Sequence, residues 1–402
     1  TIPSTGAVRG TVGLADKALV DRAVANAKEA QKEWGAWSPL KRTRVLNEWI
    51  RLIRANADDI ARDLSLEHGK TFPDAHGDLQ RGLEVVEFSL GAPHLLKGEF
   101  SESVGTGVDV HSVRQPLGVV AGITPFNFPA MIPLWKAGPA LACGNAFVLK
   151  PSERDPSVPV RLAELFTEAG LPDGVFQVVH GDKEAVDAIL THDGIASVSF
   201  VGSTPIAKYI YETGTAHGKR VQALGGAKNH VVAMPDAVVG GTVEGIVGSA
   251  FGAAGQRCLA GSVAVLVGQP AEQDGALEAL VAGARALTVG AGADPATDVC
   301  PLIGPAVFLS APKQAGLSEA GRELVSIADT IVSDGQATRW TGIVENELGS
   351  ARQAQSEPGR FYRGGPGEIT MERTALSDAA PRCRYEFAPR SITSIAFTRK
   401  AE

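Results

Sequence analysis

From Leu117 onward, short apolar runs alternate with stretches of helical periodicity, and that alternation restricts the chain to few architectures. The runs are Gly118 to Thr124, Ala146 to Lys150, Val175 to Val179, Ser197 to Val201 and His230 to Met234. Helical stretches begin near Pro129, Pro156, Asp182 and Thr204. Apolar strands separated by about 10 to 15 helical residues are βαβ units. Such units build a mostly parallel sheet, because each crossover must return over the sheet to start the next strand. Ligands of these sheets sit at the carboxyl ends of the strands, so a functional site is expected in the loops that follow the runs.

Ahead of this region the pattern is helical. Leu19, Val20, Ala23, Val24 and Ala27 recur at helical spacing within Ala15 to Trp34. Ser38 and Pro39 supply an N-cap and an N1 proline for a second helix, which carries Leu46, Trp49, Ile50 and Ile53 on one face. Further helices are expected at about Ala57 to Leu66 and Pro73 to Leu90, the latter bearing Arg81. Between Gly105 and Arg114 the pattern changes to alternation, with Val108 and Val110 set against Asp109 and His111, as in an exposed strand.

Length and charge exclude some classes. A chain of 402 residues suggests two to three domains. With a net charge of −7 it has no basic field for nucleic acid or an anionic membrane, and neither is expected as a partner. No stretch is apolar enough to span a bilayer. The four cysteines are widely spaced without a CxxC pair, which fits free thiols in a reducing cytoplasm. None of the eight histidines has metal-ligand spacing, and no metal is expected.

One cysteine stands apart. Cys258 follows Gly255, Gln256 and Arg257. A thiolate nucleophile forms more readily beside a cation and needs an approachable sulfur, which Arg257 and the bare backbone at Gly255 can supply. Three loops fall at expected strand ends. Thr124 to Pro129 is braced by prolines around Asn127, Lys150 and Glu153 put a cation and a carboxylate three residues apart, and Gly202 and Ser203 lead straight into a helix whose N-terminus can receive a phosphate. Neither G-x-G-x-x-G nor a Walker A sequence is present, and each loop taken singly is as consistent with an ordinary βα turn.

In order, Pro125-Phe-Asn-Phe-Pro129, Lys150-Pro-Ser-Glu153, Phe200-Val-Gly-Ser-Thr204, Leu224-Gly-Gly226 and Gly255-Gln-Arg-Cys258 resemble the aldehyde dehydrogenase superfamily. Arg114 to Pro129 and Gln222 to His230 look like its CoA-acylating methylmalonate (malonate) semialdehyde dehydrogenase branch. The resemblance runs from about Gly10 to Ile303. It implies an α/β fold: a nucleotide-binding parallel-sheet domain (1–97 and 117–227), an oligomerisation arm (98–116) and a second α/β catalytic domain (228–303). It implies Cys258 as nucleophile, with Asn127 and the Cys258 backbone amide stabilising the oxyanion. Thr124, Phe126, Lys150, Glu153, Gly202, Ser203 and Gly225 become cofactor-binding residues, with NAD favoured because a carboxylate at 153 repels a 2′-phosphate.

The resemblance further implies a small semialdehyde substrate with a carboxylate, clamped by Arg81 and Arg257. Hydrolytic members carry a glutamate where this chain has Ala223, so coenzyme A is expected as co-substrate in place of water. A homo-oligomer is expected if the C-terminus permits. Residues 304–402 depart from the family, as an incomplete or aberrant end. The family's nicotinamide-ribose glutamate has only Tyr385 and Glu386 as nearby counterparts. A hydrolytic dehydrogenase of another substrate and an inactive dinucleotide-binding remnant stay open as alternatives.

Overall fold

The computed structural model describes residues 1–304 except 228 and 268–269, together with the backbone of four short strands within 360–398. Tyr385 and Glu386 lie outside the described residues. Four helices open the chain: α1 (Lys17–Ala36), α2 (Pro39–Ala55), α3 (Ala57–Glu67) and α4 (Phe72–Ser89). Three of them start at a side-chain cap, where Asp16, Ser38 and Thr71 accept from the amides of Leu19, Lys41 and Asp74. Their apolar faces bury Trp34, Leu46, Trp49, Ile53, Leu79 and Leu83. Trp49 stacks on Phe166 with centroids 3.9 Å apart and donates its indole N–H to the Leu162 carbonyl, so its polar handle is satisfied inside the core.

After the one-turn helix α5 (Ala92–Leu95), the expected exposed strand proves to be a hairpin of β1 (Phe100–Gly105) and β2 (Val108–His111). Every residue of both strands is exposed, including Phe100, Val104, Val108 and Val110.

The central sheet then follows as βαβ units: β3 (Val119–Ile123), α6 (Met131–Ala142), β4 (Ala146–Lys150), α7 (Ser157–Glu168), β5 (Phe176–Val178), α8 (Lys183–Thr191), β6 (Ile195–Val201), α9 (Thr204–Ala216) and β7 (Arg220–Leu224). Its strands are all parallel in the order β5-β4-β3-β6-β7, which reverses direction beside β3. β3 and β4 are buried on both faces, as their unbroken apolar sequences require. Successive residues feed different cores: Val120, Phe147 and Leu149 pack towards α2, α4 and α7, whereas Ala121, Val148 and Val198 pack towards α1 and α8.

One strand of this sheet was not expected from the sequence. Arg220–Leu224 edges it although no apolar run marks it, because an edge strand can leave Arg220 and Gln222 facing out. The run at His230 lies outside it, in the stretch expected to form the second α/β domain. As β8 (His230–Ala233) it pairs in parallel with β9 (Val263–Leu266) in a separate two-stranded sheet, packed with α10 (Val239–Phe251) and α11 (Pro270–Arg285) around a third core that includes Cys300. Among the described residues no helix is long and apolar enough to cross a membrane. Towards the end of the chain, β10 (Arg360–Gly365) pairs with β11 (Glu368–Arg373), and β12 (Arg382–Arg384) with β13 (Ala396–Thr398), each antiparallel.

Candidate active site

The register of the central sheet sets the loops side by side. Ile123 is level with Lys150 on one neighbour and Phe200 on the other, and Val201 is level with Leu224. The loops bearing Thr124, Lys150, Gly202 and Gly225 therefore leave one end of the sheet from four adjacent strands, at the place where strand order reverses. The Thr124 amide donates to the Lys150 carbonyl (3.1 Å), and the Thr124 hydroxyl is buried without a partner. Lys150 Nζ donates to the Gly181 carbonyl at 2.7 Å and lies 3.4 Å from Glu153 Oε2. Burial holds the Lys150 amine below its ordinary pKa, with Glu153 working against that shift.

Ser203 occupies the N-cap position of α9 in extended conformation, yet its hydroxyl makes no capping bond and stays exposed at the helix N-terminus. Thr204 Oγ1 instead accepts from the Gly226 amide at 3.0 Å. A Cβ on Gly225 would come within 3.0 Å of that same oxygen, and one on Gly202 within 2.4 Å of the Phe200 ring, so a side chain at either position would press on its neighbour. The Phe126 ring stacks near His68 (6.2 Å) and under the Arg154 guanidinium (5.6 Å).

Asn127 lies in the loop from β3 to α6. Its carbonyl accepts from Lys70 Nζ at 2.9 Å, and its Oδ1 is buried with no hydrogen-bond partner. Lys70 pairs with Asp78 at 2.8 Å, both side chains being essentially inaccessible. Burial raises the Asp78 carboxyl, with Lys70 the main opposing influence. His68, also fully buried, is held well below the ordinary imidazole value by burial and by Lys70, so it adds no second positive charge there.

Cys258 is half-buried and reached through an unusual backbone. After α10 the chain makes a tight turn over Gly252–Gly255, in which Ala253 (φ 51°), Ala254 (φ 52°) and Gly255 (φ 68°) are all left-handed. For each alanine that conformation costs on the order of 1–2 kcal/mol, and the surroundings hold it in place. Asp74, in the first turn of α4, accepts from the Ala253 amide (3.0 Å) and from Arg257 Nη2 (2.5 Å). Asn229 Nδ2 donates to the carbonyls of Cys258 (2.9 Å) and Ala260 (3.0 Å). Neither Asp74 nor Asn229 was singled out from the sequence; the signal for Asp74 was only its place three residues after the cap Thr71.

Asp74, Asp78 and Arg81 are spaced by four and three residues, so they share one face of α4. Arg81 is largely exposed and pairs with Glu84 at 3.0 Å, while Arg257 pairs with Asp74. The two arginines expected to act together thus each have an acidic partner of their own. The other two described thiols are poor nucleophiles. Burial pushes Cys300 up to about 12 and also raises Cys143. The side chain of Cys383 lies outside the described residues.

Lys136 on α6 also escaped sequence reading. Its ammonium donates to Ser199 Oγ (2.5 Å), and Ser199 donates to Gln222 Oε1 (2.7 Å), next to Ala223. Burial lowers its pKa from 10.5 to about 8. Between those two values the unfolded chain binds a proton that the folded chain does not, so stability should rise with pH across that window. Chemical denaturation of the wild type and Lys136→Met at pH 7.5 and 9.5 checks this; the wild type should gain relative to the variant, and equal slopes would refute it.

Comparison with known proteins agrees with this geometry. Residues 1–317 match the model of the aldehyde dehydrogenase family. Over 301 residues the chain is 53% identical to malonate-semialdehyde dehydrogenase of Pseudomonas aeruginosa, covering 75% of this chain and 60% of that protein. With malonate-semialdehyde dehydrogenase 1 of Oceanobacillus iheyensis it shares 50% identity, covering 75% and 62%. A Sinorhizobium meliloti structure named for methylmalonate-semialdehyde dehydrogenase and complexed with NAD superposes with a TM-score of 0.74 at 54% identity, covering 75% of this chain and 62% of that one. A methylmalonate-semialdehyde dehydrogenase structure from Oceanimonas doudoroffii gives 0.74 at 53% identity, with the same coverage. The chain therefore spans about 60% of the length of the relatives it matches. By its sheet, its loops and these matches, the chain belongs to the aldehyde dehydrogenase family.

Proposed function

We propose that this chain performs the NAD-dependent, CoA-acylating oxidation of malonate or methylmalonate semialdehyde. The observation that carries the reading is that two loops are fastened to carboxylates one turn apart on α4. Asp74 holds the Cys258 loop and Asp78 the start of α6 after the Asn127 loop. Residues i and i+4 of a helix lie about 6 Å apart, so the pairing draws a nucleophile and an amide donor towards one place. Cys258 attacks the aldehyde carbon, and the Asn127 amide with the Cys258 backbone N–H stabilises the developing oxyanion.

The sheet end fits NAD. Ser203 offers a free hydroxyl at a helix N-terminus, Gly225 and Gly202 leave the backbone bare, and the Glu153 carboxylate can accept from ribose hydroxyls. Thr124, Phe126 and Lys150 complete that wall. NAD supplies the hydride acceptor when bound. Ala223 cannot activate water, so the acyl group on Cys258 waits for a thiol that is itself a good nucleophile, namely coenzyme A. Arg81 and Arg257 receive the substrate carboxylate, whose loss as carbon dioxide leaves acetyl-CoA or propionyl-CoA. The names and identities of the relatives support this substrate class. The exposed β1–β2 hairpin, with its apolar side chains and open edges, is proposed to pair with a second copy of the chain.

The test is NADH formation from malonate semialdehyde with and without coenzyme A. Continuous turnover is expected with it, and without it a burst of about one NADH per site followed by a rate at least about a hundredfold lower. Equal steady rates would assign the chain to hydrolysis.

A further inference from the structure

Asp78 reaches the oxyanion loop by two routes. Its Oδ1 accepts from the Met131 amide at 2.7 Å, and its Oδ2 from Lys70 Nζ at 2.8 Å. The same ammonium donates to the Asn127 carbonyl at 2.9 Å and lies 4.7 Å from the centre of the Phe128 ring. The loop is thus gripped on both sides of Pro129, at residue 127 and at residue 131. We propose that Lys70 and Asp78 are positioning residues that fix the direction of the Asn127 side-chain amide towards the oxyanion. This deepens the proposed function and rests on Asn127 being the oxyanion donor.

The loop has little of its own to hold it beyond the Phe128 carbonyl, which accepts from the Ile132 amide at 3.3 Å. Pro125 and Pro129 have no amide hydrogen to give, and Ala130, at the N-cap position of α6, provides no side-chain bond to the helix start. Asp78 supplies that cap from another helix. Asn127 Oδ1 is buried without a partner, so no bond on its own carbonyl side orients the amide. Its direction must come from the backbone that carries it, and Lys70 fixes that backbone at the Asn127 carbonyl.

Energetics favour the same view. A fully buried ion pair is a weak source of stability, since well-packed apolar groups of similar volume often serve as well or better. What apolar groups cannot supply is a donor for a loop carbonyl together with an acceptor for a helix amide. An oxyanion donor must lie about 2.7–3.1 Å from the oxyanion, and a loop freed to shift by several tenths of an ångström loses that contact.

The experiment measures the rate of the NADH burst for the full chain, using malonate semialdehyde or propionaldehyde. The Lys70→Met, Asp78→Leu double variant removes both members of the pair together and so leaves neither partner's charge unpaired. It should slow the burst about 10- to 100-fold, somewhat less than the loss of a whole oxyanion donor. NAD affinity and iodoacetamide labelling of Cys258 should stay within about twofold, because neither uses the Asn127 amide. In an Asn127→Ala background the same two substitutions should change the burst less than about twofold, there being no amide left to aim.

A wild-type burst rate in the double variant overturns the proposal, and so does an equal loss with and without Asn127, which would mark a general structural role. Should the double variant not fold, Lys70→Arg replaces it: this keeps the charge but alters the reach, and an unchanged burst would overturn the proposal. Wild-type protein that forms no NADH from any aldehyde overturns the functional reading and this inference with it. Coenzyme-A-independent turnover overturns only the former.

Discussion

Replacing Cys258 with alanine is expected to abolish NADH formation, a loss of at least about four orders of magnitude, as removal of a nucleophile generally produces. The protein should still fold, because the bonds that hold this position are made by backbone: Asn229 grips the Cys258 carbonyl, not the thiol. No other described thiol is placed to substitute. Cys300 is buried in the third core with its pKa near 12, and burial raises that of Cys143 as well. Iodoacetamide should therefore inactivate in step with a label on Cys258, located by peptide mapping. A burst retained in Cys258→Ala, or inactivation that tracks a label on Cys143, would remove Cys258 from the mechanism.

Much of the sheet was readable in advance because its central strands are buried on both faces and hence written as unbroken apolar runs. β7 was not, since an edge strand carrying Arg220 and Gln222 has no such run. The run that forms β8 was legible as a strand but its partner β9 was not, because an apolar run specifies burial and not what it pairs with. At the site, the residues at strand ends were legible from their order along the chain. The residues that hold them were not. Asp74, Lys70, Asp78 and Asn229 act through one or two hydrogen bonds each to loops as much as 183 positions away, and no local pattern reports such bonds. Arg81 and Arg257 are expected from the sequence to clamp a carboxylate together, and the sequence does not show that Glu84 and Asp74 lie beside them.

Those acidic partners shape the expected behaviour of the two arginines. The Arg81–Glu84 pair is exposed, and surface pairs of this kind contribute about 1 kcal/mol or less. Arg81 can therefore exchange Glu84 for a substrate carboxylate at little cost, and it touches neither catalytic loop through its side chain. A hydrogen bond to a charged group contributes about 1.5–3 kcal/mol, or roughly 10- to 100-fold. Arg81→Leu should lower kcat/KM for malonate semialdehyde by that factor and leave propionaldehyde within about twofold, since the plain aldehyde has no carboxylate to lose. Arg257 differs because Asp74 binds it together with Ala253 in the strained turn before Cys258. Arg257→Leu removes the proposed substrate contact and also leaves the Asp74 carboxylate in a partly buried place without its cation, a change that costs several kcal/mol in fully buried pairs. The expected loss is about 100- to 1,000-fold on malonate semialdehyde and about tenfold on propionaldehyde, with slower alkylation of Cys258. Steady-state kinetics of both variants on both aldehydes decides the matter. Equal losses on the two substrates for Arg81→Leu would exclude it from carboxylate binding, and a purely substrate-selective loss for Arg257→Leu would mean that Asp74 alone holds the nucleophile loop.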